Sequence, residues 1–76
     1  MMLKEFLVNG QRMRLDETTV MEFRYGYWQA AVIDSFEKAN QIRKALSADG
    51  IEYRWVKPRE QFVFTPVAKE GINDDD

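Results

Sequence analysis

The residues of this chain best suited to chemistry are aromatic and basic, and they come interleaved. Phe23-Arg24-Tyr25-Gly26-Tyr27-Trp28, then Tyr53-Arg54-Trp55, then Phe62-Val63-Phe64 hold most of its five Phe, three Tyr and two Trp. Lys57 and Arg59 stand between the last two groups. Tyr, Trp and Arg are the side chains that carry protein-interface hot spots, because they bury much area at little entropic cost. The same mixture suits single-stranded nucleic acid, where a base stacked on an aromatic ring contributes about 1–3 kcal/mol and Arg adds backbone contacts. Ordinary core packing is the third role such residues fill.

Enzyme chemistry is poorly provided for. The chain has no His and no Cys, so the commonest general base and the thiolate nucleophile are both missing. Ser35 and Ser47 are explained by a helix, one at its start and one on its surface. Glu22, Glu52 and Glu60 are the carboxylates that could do acid–base work. Each lies in an alternating strand pattern or a turn, where a solvated charge is expected. Gly10, Gly26, Gly50 and Gly71 are scattered and form no phosphate-cradling loop. Asp74-Asp75-Asp76 are consecutive, which does not give the six or more oxygens at set spacing that a calcium site needs. The expectation is a non-enzymatic protein with no cofactor and no metal.

A chain of 76 residues allows one domain. No apolar run is long enough to span a membrane, and Met1-Met2-Leu3-Lys4-Glu5-Phe6 lacks the apolar core of a signal peptide. With no cysteine to staple the fold, the expected location is cytoplasmic. The net charge of −2 is unevenly spread. Glu70, Asp74, Asp75 and Asp76 face only Lys69 in the last nine residues, and the remainder is close to neutral. Residues 1–67 are therefore expected to form a single α+β domain, and 68–76 a disordered acidic tail with too little to bury.

The elements that must position the aromatic groups follow from periodicity. Asn9-Gly10 supplies the two positive-φ positions of a type I′ turn, predicting a hairpin that pairs Val8 with Gln11, Phe6 with Met13 and Lys4 with Leu15 on a mostly apolar side. Thr18 to Ile33 reads as strand. Met21, Phe23, Tyr25 and Tyr27 form one apolar set, then the phase slips to Trp28, Ala30 and Val32. Gly26 marks the slip as a bulge or tight turn. A short helix from Asp16 to Tyr25 competes with this reading. Asp34 and Glu37 open a helix in the capping-box manner, with Phe36, Ala39, Ile42, Ala45 and Leu46 as its apolar stripe and Gly50 as its left-handed stop. Ile51, Tyr53 and Trp55 form a strand, Lys57 to Glu60 a turn, and Gln61 to Thr65 a last strand stopped by Pro66. The expected fold class is α+β, a two-layer domain in which a mostly antiparallel sheet of four or five strands has one helix packed on one face.

Arg24-Tyr25-Gly26-Tyr27-Trp28-Gln29 resembles the aromatic octamer of RNA-recognition motifs, and the following step into Phe36, Ala39 and Ile42 is similar to that family over a stretch of about 30 residues. The likeness implies bases stacked on a sheet. It lacks the usual Gly after Arg24, has Ala30 in place of a second stacking aromatic, and has a hairpin where the family has a strand and a helix, so no membership is assigned.

One helix cannot cover all these aromatic strands, so a surface is left for a partner or a second copy. The expected function is a small binding module that docks on a larger protein and modulates it, as a regulator, an adaptor or a phage-type inhibitor of a host enzyme. Its partner-binding residues are expected to be Arg24, Tyr25, Tyr27, Trp28, Arg54, Trp55 and Arg59. Single-stranded nucleic-acid binding through the same face is the alternative. A homodimer is compatible with either, and no membrane partner is expected.

Overall fold

The computed structural model describes residues 3–67. The expectation of a disordered tail falls on 68–76 and lies outside them. The fold is α+β, with one helix on one face of an antiparallel sheet. Strands β1 (Leu3–Val8), β2 (Gln11–Asp16), β3 (Thr19–Arg24) and β4 (Tyr27–Ala30) form a meander in the order β1-β2-β3-β4. Helix α1 (Phe36–Leu46) follows and runs into a 3₁₀ turn at Ser47–Asp49. Strands β5 (Tyr53–Val56) and β6 (Val63–Pro66) pair only with each other, so the strands divide between a four-stranded and a two-stranded sheet.

Each link of the meander is a two-residue loop. Asn9 and Gly10 both have positive φ and set Val8 opposite Gln11, Phe6 opposite Met13 and Lys4 opposite Leu15, the pairing expected from the turn. Glu17-Thr18 sets Leu15 opposite Val20 and Met13 opposite Glu22. Tyr25-Gly26 sets Phe23 opposite Trp28. Residues 16 to 25 are therefore turn and strand, and the competing short helix does not form. Gly26 is part of a tight turn, one of the two roles expected for it.

One side of the meander presents Val8, Met13, Leu15 and Val20 to the core. Ala39, Ile42 and Leu46 of α1 pack there with no exposure. Tyr53, Phe62 and Phe64 of the β5–β6 hairpin close the same core, and the Phe64 amide donates to the Thr18 carbonyl at 3.1 Å. Helix and hairpin thus share one side of the large sheet.

Three local expectations are corrected. Ser35, not Asp34, caps α1: its hydroxyl oxygen accepts from the Lys38 amide at 3.1 Å, because Ser35 is extended immediately before the first helical residue. Phe36 is not part of the buried stripe but stands 60% exposed, stacked on Trp55 at 5.4 Å. Ile51 is exposed and precedes β5, since the left-handed Gly50 (φ 93) has yet to turn the chain back.

Lys4 fastens the layers together. Its ammonium donates to the Leu46 carbonyl at the end of α1, pairs with Asp49 Oδ2 at 2.8 Å and sits 4.6 Å from the centre of the Tyr53 ring. A cation at a helix C-terminus also meets the negative end of the helix dipole.

Two predictions follow from this packing. Leu46→Ala leaves a cavity in the core that helix, sheet and hairpin share and is expected to cost about 2–5 kcal/mol in urea denaturation; a loss below about 1 kcal/mol, the scale of surface changes, is incompatible with this helix face. The Lys4 hydrogen bond holds the Asp49 carboxyl below its usual range. A carboxyl lowered in the folded state contributes stability above its unfolded pKa, near 4, and loses it as pH falls through the folded value. The urea midpoint of the wild type should therefore fall between pH 5 and pH 3 more than that of Asp49→Asn.

Candidate functional site

Alternation fixes what the far side of the meander carries. With Val8, Met13, Leu15 and Val20 turned inward, the neighbouring residues face away from helix and hairpin. Leu7, Arg12, Phe23 and Trp28 form one row across the four strands, and Glu5, Arg14, Met21 and Ala30 form the next. No described element covers this face, and Leu7 is 62% exposed.

The face is an interlocked set of arginines and rings. Phe23 and Trp28 meet edge to face at 5.3 Å. The Arg12 guanidinium lies 4.8 Å from the Phe23 ring centre and 5.4 Å from that of Trp28. Arg14 lies 4.4 Å from Trp28. These are cation–π distances, and they hold long flexible side chains in a fixed array. Arg12 also approaches Glu5 at 3.5 Å; both are well exposed, so that pair adds little to stability. Arg14 Nε is buried and has no acceptor among the described residues.

The seven residues expected from sequence do not form one site. Trp28 belongs to the open face. Arg24, Tyr25 and Tyr27 surround the β3–β4 turn at the sheet's outer corner, where Tyr25 is 79% exposed and Arg24 lies 5.9 Å from its ring centre. Arg54, Trp55 and Arg59 lie on the β5–β6 hairpin. Trp55 is a packing residue: it contacts Phe36 and Phe62, and its indole N–H donates to Asn40 Oδ1 at 3.1 Å. Arg54 and Arg59 are exposed. The expectation did not include Leu7, Arg12, Arg14 and Phe23; the Asn9-Gly10 turn signals that Leu7, Arg12 and Arg14 share a face, and nothing before β3 signals Phe23.

Two further expectations change. Met21 and Phe23 were the apolar set of the third strand, yet they point away from the core, and Val20 and Glu22 point into it. Glu22 is 3% exposed rather than solvated; Glu52 and Glu60 are exposed as expected. Secondly, the segment resembling the RNA-recognition octamer is the end of β3, a turn and the start of β4, so it presents no single strand on which bases could stack in that family's manner.

The β3–β4 turn has an internal control. Asn9-Gly10 and Tyr25-Gly26 have nearly the same backbone, with φ of 52° and 81° against 58° and 84°. Asn is at ease in the left-handed region and Tyr is not. No interior contact compensates Tyr25, given its exposure. A strained, exposed aromatic at a sheet corner is a reason to look for a function there.

No family model matches this chain, and neither a curated protein nor a solved structure matches it.

The geometry separates two classes of substitution. Tyr25→Asn is expected to raise stability by up to about 1 kcal/mol by relieving the left-handed strain; any loss in urea denaturation means that Tyr25 makes folding contacts. Trp28→Ala is expected to cost less than about 2 kcal/mol, since it removes one edge-to-face pair and two cation–π contacts from a half-buried position. A loss matching that of Leu46→Ala would make the open face a second core.

Proposed function

We propose that this chain is a non-enzymatic binding module that docks on a larger protein and modulates it. The observation that carries the reading is the uncovered row of Leu7, Arg12, Phe23 and Trp28 on a sheet whose other side is already filled. An apolar and aromatic patch with arginines fixed over its rings has the composition of an interface centre. Six-residue strands rise about 3.3 Å per residue and lie about 4.8 Å apart, so the face alone is well below the roughly 800 Å² per partner of a standard interface. A partner that also wraps the β4 edge would add Tyr25 and Tyr27 and reach that range. β4 is, with β1, one of the two edge strands of its sheet, which leaves one row of its main-chain groups free to take part.

Arg12, Arg14, Phe23 and Trp28 also form the stacking and charge pattern that single-stranded nucleic acid uses, and this supports a second reading. Glu5 beside Arg12 and the near-neutral charge of residues 1–67 weigh against it, because phosphate binding depends on net positive charge.

The test compares the two on one set of variants. A partner recovered by immobilised wild type should bind Trp28→Ala or Phe23→Ala at least about 30-fold more weakly, the scale of a hot spot, with circular dichroism showing the fold retained. Arg54→Ala and Arg59→Ala should bind within about threefold of wild type, on the scale of rim charges. Retention on single-stranded DNA that falls linearly on a log–log salt plot, and flattens in Arg12→Ala and Arg14→Ala, would instead select nucleic acid. A partner whose affinity ignores Phe23 and Trp28 sinks the reading.

A further inference from the structure

Glu22 is the buried charge among the described residues, at 3% exposure. It sits on the helix-facing side of β3, opposite Met13. One carboxylate oxygen, Oε2, lies 3.6 Å from the Arg24 Nε. The other, Oε1, is buried and receives no hydrogen bond from any described residue. An ionised carboxylate is an acceptor only, and leaving one of its oxygens buried without a donor is costly. Whatever completes this carboxylate must be a donor.

Glu22 lines a groove of about 380 Å³ between β3, the β1–β2 turn and the first turn of α1. That size lies in the range of small-molecule sites. Asp34 and Glu37 add two carboxylates to its walls, and Gln11 and Gln41 add amides. Both cations that line it are engaged: Arg24 faces Glu22, and the Lys38 ammonium donates to the Val32 carbonyl at 2.6 Å. The positive end of α1 does not turn the groove toward anions, because Ser35 caps it and Glu37 stands in its first turn.

We infer that this groove is a binding site for a single alkyl cation, a guanidinium or ammonium head group seated against Glu22 with its chain lying between β3 and α1. A head group that only donates matches an oxygen that only accepts, and a charged donor makes the stronger hydrogen bond. The groove opens on the helix side of the sheet, away from Leu7, Phe23 and Trp28, so this site stands or falls independently of the proposed docking face. The cation's source is either a small free amine or an Arg or Lys side chain of a protein, and the chemistry at Glu22 is the same for both.

Two-dimensional amide NMR of the full chain tests this with agmatine as probe and sodium chloride matched for ionic strength. Saturable shifts are expected at Gln11, Glu22, Lys38 and Gln41. Glu22→Gln should weaken binding at least about tenfold, the loss of one charge-assisted hydrogen bond. N-butylurea, a neutral relative of the guanidinium head, should bind the wild type at least about tenfold more weakly on the same grounds, and this arm holds even if Glu22→Gln fails to fold. A blocked Gly-Arg-Gly peptide that matches agmatine identifies the site as one for a protein side chain; binding of agmatine alone identifies a free amine. The inference is overturned by shifts that do not saturate, by shifts that sodium chloride reproduces, or by equal binding of butylurea.

Discussion

The period of two along a β-strand decides which side of this molecule is core and which is surface. Three two-residue loops join four strands, and in such a loop the residues on either side of the turn share a face. Once Val8 is buried, Gln11, Met13 and Leu15 must turn the same way, then Val20 and Glu22. The opposite set, Leu7, Arg12, Arg14, Phe23 and Trp28, is then committed to the far side. A one-residue slip at the first turn would exchange the two sets beyond it, putting Arg14 and Phe23 under the helix and Met13 and Val20 in water. Lys4, on the inward set, is what that parity places at the end of α1, where it joins the Leu46 carbonyl and Asp49. The same chain of reasoning that fixes the core therefore also fixes the clasp between layers.

This explains why part of the fold was legible in the sequence and part was not. Asn9-Gly10 names its own turn type, and every pair of the first hairpin follows from it. Ala39, Ile42 and Leu46 declare a helix face by spacing. Glu17-Thr18 carries neither Gly nor Asn, yet Glu17 takes a φ of 60°, so the second turn left no mark and the parity could not be carried past it. Without it, the alternation of Met21 and Phe23 with Glu22 and Arg24 looks like an ordinary strand with its apolar side inward. Tertiary context overrode that pattern: the face was already chosen by Met13 and Leu15, and a glutamate went inside. The division of the strands between two sheets was also hidden, since local periodicity says nothing about which strands pair.

The candidate site was legible in kind and misplaced in detail. Aromatics and arginines do make up the face that helix and hairpin leave open, so one helix does not cover them all. Of the seven residues expected, Trp28 alone lies on that face. Trp55 looked available because it alternates with Arg54, but alternation points it toward α1, where Phe36, Phe62 and Asn40 receive it. Phe36 looked buried because it opens the helical stripe, but its ring lies over Trp55 and Phe62 of the β5–β6 hairpin and not over the large sheet. Arg12 and Arg14 looked like the wet side of a hairpin; only the return of β3 and β4 brings Phe23 and Trp28 beside them.

The β3–β4 corner shows where the chain departs from what its fold alone would favour. In Asn9-Gly10 and Tyr25-Gly26 the same backbone is built twice, once with a residue suited to it and once with one that is not. Strain of that kind persists where the surrounding structure holds it, and it clusters at functional sites. Tyr25 gains nothing from the core, and its ring lies by Arg24 at the open end of the edge strand. Arg24 in turn lies on the same face of β3 as Glu22, two residues along, with its Nε 3.6 Å from Glu22 Oε2. The corner thus adjoins both faces: Trp28 and Phe23 lie on one side of the sheet, and the groove floored by Glu22, with Arg24 in its wall, lies on the other.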